Sequence, residues 1–510
     1  MMDAVTRFWP AEGTIDRLPD EAAALRAVEA RLTAVVEGRG YREIVVPLLE
    51  RDGVWSAGDA VRFVDRHGQL LGLRPDFTGS VARVVATRLK DVPDVRLSYR
   101  GTVFRDIDTT TGNRRQRQQV GFEHFGSGAV DEDIEVVRTA CAALAAAVPG
   151  RVVTLSLGSA AVVQALAPAA APEVREALDR RDKTALPTAL HPLLDLHGSV
   201  DVLTEAKRRL PAATHPALVR LEAIARALDG NVVVDLAELR PWTYYTGFVF
   251  ALYVDGAARA LAAGGRYDEL TSRFGAVRPA VGATFDVDTL LSVAVDAQPV
   301  GTAHRAGPLR VALPKGRIQK HVLKALGDPF LDASRALVID GKDGHLRFLL
   351  VKDPDVPAYV ERGAADVGIV GLDVLREETH DVLEPLALPF GRCEMCLCSR
   401  PDVDLRAIAR QRTVRIASKY PALAKEALAA RGLPVEVIEL KGSVELSVLV
   451  DLADAIVDLV ETGETLKQNG LVVIERLFES TARVIVNRAA FRSRHDAVKA
   501  FLSSLGGPGA

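Results

Sequence analysis

The sequence predicts two architectures in tandem: an α+β half built on an antiparallel sheet, then an α/β half of alternating strands and helices. Three observations predict this. Up to about residue 295, short β-like runs such as VVTLSL, NVVVDL and TGFVFALYVDG alternate with Ala-rich helical stretches, without regular strand-helix-strand units. Around 296–308 the segment DAQPVGTAHRAGP lacks apolar periodicity and is rich in Pro, Gly and Ala, as a linker is. Beyond it, LRVALPKG, ADVGIVG and TVRIASKYP each end a strand on a turn into a helix, the grammar of a sheet whose ligands gather at its carboxyl ends. The boundaries read from these changes are a domain at 1–295, a linker at 296–307, a domain at 308–498 and a flexible tail at 499–510.

Taken in order, PDEAAALRAVEARLTAVVEGRG places Leu25, Val28, Leu32 and Val35 on one helical face and stops on Gly38 and Gly40. YREIVVPLLE reads as a strand broken by Pro47. In the second half, DVPAYVERG reads as a helix with Asp355 as its cap, Pro357 in its first turn and Gly363 at its end. CEMCLC has no second Cys or His pair nearby, so it reads as a strand whose thiols pack as small apolar groups. ADAIVDLV is a near-continuous apolar run, typical of a strand covered on both faces.

Composition excludes several classes. A chain of 510 residues holds roughly three compact units at about 150 residues each. A net charge of −3 gives a polyanion nothing to hold, so nucleic acid is not expected as a partner. The start, MMDAVTRFWPAEG, lacks a basic region followed by an apolar core, and no apolar run approaches the roughly 18 residues of a membrane span. Four cysteines in so long a chain make no disulfide framework. The expectation is a cytoplasmic protein without membrane contact.

The segment DLVETGETLKQNG raises the sharpest chemical question. Thr462, Gly463 and Thr465 open a helix with free amides and two hydroxyls, which suits a phosphate. No Lys-Ser/Thr pair follows the glycine, so this is not a P-loop. Asp458, Glu461 and Glu464 crowd the same turn with negative charge. A carboxylate accepts both hydrogens of a vicinal diol, so a ligand with a phosphate beside a ribose would use both kinds of group. In an alternating strand Asp454 and Asp458 share a face, and Asp458 lies nearer the ligand end. Mg²⁺ would ease the remaining repulsion.

The segment GSVELSVLVDLADAIVDLVETGETLKQNG resembles the phosphoribosyl-diphosphate signature of the ATP phosphoribosyltransferases, the first enzymes of histidine biosynthesis. The likeness to their short form runs from 308 to about 495 through LPKGR, DVPAYVERGAADVGIVGLDVL, PFGRC and SKYP, in order. It implies a two-lobed α/β unit like the periplasmic binding proteins, with its active site in the cleft. On that resemblance Thr462, Gly463 and Thr465 take the 5-phosphate, Asp458 and Asp454 the ribose diol, and Glu445 the sugar or metal side. Lys315, Gly316, Arg317, Gly371, Asp373, Arg392 and Lys419 line the nucleotide or pyrophosphate side. The substrates implied are ATP and phosphoribosyl diphosphate, with Mg²⁺ carried in on them rather than held at a dedicated protein site.

Residues 1 to about 295 resemble a second family, the catalytic core of class II histidyl-tRNA synthetase. YREIVVPLLE, RLSYRGTVFR with QQVGFEHFG, and AAGGRYDEL with VGATFDVDTLL match its three motifs, and LRPWTYYTGFVF its histidine-specific stretch. That resemblance implies a histidine pocket of Asp76, Thr78, Arg105, Gln119, Glu123, Arg240, Tyr244 and Tyr245. Carboxylates suit the ammonium group and an arginine the carboxylate. The departures decide the role. The arginine that clamps ATP is replaced by Thr289, Pro241 and Thr243 stand where glycine and aspartate are usual, and no anticodon-binding domain follows. Such a domain resembles the regulatory subunit that short transferases require. The implied whole is a transferase fused to its own regulatory domain, inhibited by L-histidine and self-associating as a homo-oligomer. The rivals are a working synthetase and a cleft that only senses its ligand.

Overall fold

The computed structural model describes residues 9–55, 60–107, 109, 113–168, 170–239, 244–295, 307–327, 336–461 and 463–506. The chain divides into two compact units, Met1–Gly307 with Ala489–His495, and Pro308–Arg488 with Asp496–Ala510. Sequence alone assigned 489–495 to the second domain. Most of the expected linker, 296–306, lies outside the described residues.

The first unit is built on a nine-stranded sheet. Its order is Arg42–Glu43, Val95–Phe104, Gln116–Phe125, Ala280–Asp286, Ala262–Arg266, Phe248–Val254, Val153–Ser159, Asn231–Asp235 and His197–Gly198. The pairs of Arg42–Glu43 with Val95–Phe104 and of Val153–Ser159 with Asn231–Asp235 are parallel; the other pairs are antiparallel. This is the α+β architecture expected. The helices Pro19–Gly38 and Val130–Ala147 pack together into the main core beside Val120, Phe122 and Phe285. On the first helix Leu25, Val28, Leu32 and Val36 are buried, while Val35, expected on that face, lies at its edge. Truncating a side chain buried like Leu32 costs about 2–5 kcal/mol.

The second unit has two sheets, one per lobe. The first lobe's order is Val338–Asp340, Leu346–Val351, Leu309–Pro314, Val367–Gly371, Ala482–Val486 and Leu383–Ala387. The second lobe's is Val435–Glu439, Val414–Ser418, Ala455–Val460, Cys393–Ser399 and Val472–Ser480. The chain leaves the first sheet after Ala387 and enters the second at Cys393; it returns between Ser480 and Ala482. Two short crossovers therefore join the lobes. Cys396 and Cys398 are buried in apolar packing, as small apolar groups.

Two local expectations need correction. The predicted tail is helical through Ser504, because Val498, Phe501, Leu502 and Leu505 line up as a buried face of the helix His495–Ser504 and the turn after it. The last residues, 507–510, lie outside the described set. Asp355 does stand at the N-cap of Val356–Glu361, but its side chain makes no capping bond there.

Candidate functional site

The strand Ala455–Val460 runs in the middle of the second lobe's sheet. It pairs parallel with Val414–Ser418 and antiparallel with Cys393–Ser399. An apolar run is what this position requires, since Ala455 and Val457 pack into the core on one face of the sheet and Ile456 on the other. Past its carboxyl end the chain turns at Gly463, whose φ of 72° is left-handed and suits glycine, and enters the short helix Glu464–Gln468. Thr462 and, in the first unit, Arg240 lie outside the described residues, as do Pro241 and Thr243.

The acids that crowd the turn have cations beside them. Asp458 Oδ2 lies 3.7 Å from Lys419 Nζ, and Leu459 N donates to Asp458 Oδ1 at 2.9 Å. Burial raises the Asp458 carboxyl, the Lys419 charge pulls it back and Glu445 pushes it up again. Glu461 forms an ion pair with Arg317, which begins the helix Arg317–Ala325 of the other lobe. Lys315 and Gly316 precede it after the strand Leu309–Pro314, and Gly316 has a φ of 117° with open space around it. That ion pair brings the loop Lys315–Arg317 against the turn from the other lobe. Arg392, on the outbound crossover, pairs with Glu479 on the returning strand.

Asp454 is engaged elsewhere. Arg412 grips its two oxygens at 2.7 Å each, and Arg415 adds its amide at 2.9 Å and its guanidinium at 3.1 Å. The Arg412 hydrogen bonds, with those of Arg415, hold this carboxyl well below the usual range. It precedes a six-residue strand, about 20 Å of chain from the turn. Asp454 thus lies at the end of the strand opposite the turn, with its oxygens held by arginines of its own lobe.

Gly371 and Asp373 lie at the carboxyl end of the strand Val367–Gly371. A Cβ on Gly371 would meet Asp373 Oδ1 at 2.3 Å, so a side chain there would push the Asp373 carboxylate aside. Asp373 is buried and already engaged: its amide donates to Ser480 Oγ at 3.1 Å, Ser480 Oγ donates to its Oδ1 at 2.6 Å, and the Tyr420 hydroxyl donates to its carboxylate. Asp353 stands beside it, pushed up to about 6 by burial and the Asp373 charge, with its Oδ1 unpartnered. Sequence reasoning missed Asp353, Tyr420 and Ser480. Tyr420 sat inside the quoted SKYP, where only the lysine was taken.

In the first unit the residues converge around Glu123, which is buried near the carboxyl end of Gln116–Phe125. Thr78 Oγ1 donates to Glu123 Oε1 at 2.8 Å, the Tyr99 hydroxyl to the same oxygen at 3.0 Å, and the Tyr267 hydroxyl to Oε2. Burial pushes the carboxyl up to about 7, against the pull of those three hydroxyls. Gly282 makes room, since a Cβ there would sit 1.6 Å from Glu123 Oε2. The Tyr244 ring lies tilted against that of Tyr245 at 4.8 Å and edge-on to that of Tyr267 at 5.4 Å, and its hydroxyl bonds Thr78. Asp76 accepts from the Gly79 amide at 3.3 Å, and Arg105 Nε donates to Pro75 O at 3.3 Å. Gln119 is buried on the same strand face as Glu123, and its Oε1 has no hydrogen-bond partner. Tyr99 and Tyr267 were within quoted motifs but not chosen.

Comparison with known proteins divides the chain in the same way. The family model described as histidyl-tRNA synthetase matches residues 13–290, and that of ATP phosphoribosyltransferase matches residues 352–507. The ATP phosphoribosyltransferase of Caldanaerobacter subterraneus subsp. tengcongensis is 43% identical over 201 residues, 38% of this chain and 94% of that protein. ATP phosphoribosyltransferase 2 of Geobacter sulfurreducens is 42% identical over 204 residues, 39% of this chain and 96% of that protein. Among solved structures, an ATP phosphoribosyltransferase regulatory subunit/histidyl-tRNA synthetase from Bacillus halodurans is similar with a TM-score of 0.51 and 25% identity, covering 68% of this chain and 93% of that one. A histidine–tRNA ligase subunit from Alicyclobacillus acidocaldarius is similar with a TM-score of 0.50 and 30% identity, covering 57% and 97%.

Proposed function

The chain belongs to the ATP phosphoribosyltransferase family in its second unit and to the histidyl-tRNA synthetase family in its first, and from that premise we propose which residues carry each role. The second unit is an ATP phosphoribosyltransferase of histidine biosynthesis, and the first is a regulatory domain fused to it. N1 of the ATP adenine displaces diphosphate from the anomeric carbon of phosphoribosyl diphosphate. No nucleophilic side chain is needed; orientation and stabilisation of the leaving charge supply the catalysis.

In our reading Gly463, Thr465 and Thr462 hold the 5-phosphate, and Asp458 accepts the ribose hydroxyls. Lys419, Lys315, Gly316 and Arg317 receive the diphosphate and ATP phosphates, with Arg392 at the edge and Gly371 shaping the nucleotide side. Mg²⁺, when bound, neutralises the phosphates that bring it in. Asp458 and Glu445 are near enough to repel each other's charge, and such a pair of hard oxygen donors fits it. The observation that carries this assignment is the matching of acids and cations at the turn, Asp458 with Lys419 inside the second lobe and Glu461 with Arg317 from the first. A phosphate arriving there exchanges one anionic partner of each cation for another.

For the first unit we propose L-histidine as ligand and inhibitor. Glu123, Asp76 and Gln119 meet its polar nitrogens, Arg105 and Arg240 its carboxylate, and Thr78, Tyr244 and Tyr245 close around the ring. The orphaned Gln119 Oε1 supports a polar ligand in this pocket. The fusion then works in the cytoplasm as a homo-oligomer. The test is ultraviolet detection of N1-phosphoribosyl-ATP from purified chain, ATP, phosphoribosyl diphosphate and Mg²⁺. Product that histidine suppresses is expected. Product indifferent to histidine would leave the first unit as activator or scaffold, and no product would favour a sensing cleft.

A further inference from the structure

The helix Pro421–Ala429 begins just after Lys419, and its start is held from the other lobe. Its N-cap residue, Tyr420, makes no side-chain cap, and Pro421 has no N–H. The next two amides are satisfied by Glu377, the last residue of the helix Leu372–Glu377 in the first lobe: Ala422 N donates to Oε1 at 2.8 Å and Leu423 N to Oε2 at 3.1 Å. A serine or aspartate at position 420 would cap locally. Here a half-buried carboxylate crosses from the opposite lobe instead, and burial raises it despite the two amides. The same short helix holds the segment again at its other end, where Asp373 accepts from the Tyr420 hydroxyl and ties to Ser480 beside the returning crossover. On the near side, Ser418 Oγ donates to Val457 O at 2.7 Å and accepts from Tyr420 N at 2.9 Å. Lys419 is therefore fixed on both flanks, to its own lobe through Ser418 and to the other through Tyr420 and Glu377.

We propose that the helix Leu372–Glu377 is a clasp between the lobes and that Glu377 is a positioning residue, holding Ser418–Pro421 so that Lys419 stays over the phosphoribosyl turn. The inference rests on the reading of Lys419 and Asp458 given above. It also gives Asp373 a role in the clasp in place of a nucleotide contact. Displacement of a phosphate-binding cation by about 1 Å costs up to 100-fold in rate, so losing the clasp acts on turnover more than on folding.

The experiment is a double-mutant cycle on the full chain, with kcat and KM for both substrates and thermal melts for wild type, E377A, K419M and E377A/K419M. E377A is expected to lower kcat about tenfold or more while the melt stays cooperative. In the K419M background the same change should cost no more than about twofold, because the group it positions is gone. E377Q, which keeps one acceptor oxygen, should recover part of the rate. Multiplicative losses would overturn the clasp and leave the site reading standing. A K419M chain with wild-type rate would overturn both. Should E377A not melt cooperatively, E377Q and E377Q/K419M carry the same cycle.

Discussion

Glu123 lies 1% exposed with hydroxyls of Thr78, Tyr99 and Tyr267 on its oxygens, whereas Glu461 pairs with Arg317 at side-chain exposures of 48% and 69%. In the first unit an acid is buried among neutral donors, and burial sets its charge. In the second, acids meet cations at a surface where such pairs contribute about 0–1 kcal/mol. The comparison teaches how each site can respond. A phosphate displaces a cheap surface pair readily, while a ligand at Glu123 must exchange buried hydrogen bonds and settle a proton.

The strongest test of the cleft side is Asp458→Asn. It removes a charge at the ligand end of a buried strand without changing shape, and transfer should fall by about 100-fold or more. The absorbance assay for N1-phosphoribosyl-ATP reads this directly, and near wild-type turnover would break the proposed sugar contact. On the pocket side the matching test is Gly282→Ala. Its Cβ would meet Glu123 Oε2 at 1.6 Å, and overpacking of this kind costs about 1–3 kcal/mol. A lowered melt together with lost histidine suppression is expected; an unchanged response would place histidine elsewhere.

A smaller effect separates the two sites by pH. The Glu123 carboxyl sits near 7 in the fold against 4.5 as its ordinary value. The fold thus favours the protonated acid, so its contribution to stability is fully present below about 4.5 and is lost as pH rises through about 7. The swing is about 3 kcal/mol at most. Histidine's ammonium wants the ionised acid, so its binding should strengthen over the same rise. Melts and histidine titrations of wild type against Glu123→Gln, from pH 5 to pH 8 or so, isolate this group. Parallel pH profiles for the two proteins would show that Glu123 is not the group that titrates.

What the sequence made legible were the features written locally. The helix Pro19–Gly38 follows from its apolar spacing, and the turn at Gly463 ahead of a helix from the glycine in the run Thr-Gly-Glu-Thr. The expected architecture of each half also holds. Distant partners were not legible. Asp373 and Ser480 meet across 107 positions, and Glu377 reaches Ala422 across 45, because strands return through crossovers whose register no local spacing records. The helix through Ser504 was hidden by the glycines after it, although Val498, Phe501 and Leu502 carried its period. Tyr99 and Tyr267 stood in quoted motifs, but their convergence on Glu123 depends on non-neighbouring segments brought together around the sheet.

Asp454 offers the finest division between structural and functional charge, since it directly precedes the strand that carries Asp458 and shares its chemistry. Its two oxygens are occupied by Arg412 and Arg415, and those bonds hold its carboxyl below the usual range, where burial raises that of Asp458. A depressed carboxyl contributes stability above its unfolded value and loses it as pH falls through the folded one. Asp454→Asn should therefore lower the melting temperature at neutral pH, by less as the medium turns strongly acid. Turnover and KM for phosphoribosyl diphosphate should stay within about twofold, as for a substitution remote from the chemistry. A tenfold rise in that KM would return Asp454 to the sugar, and would mean that the arginine pair lets go when substrate arrives.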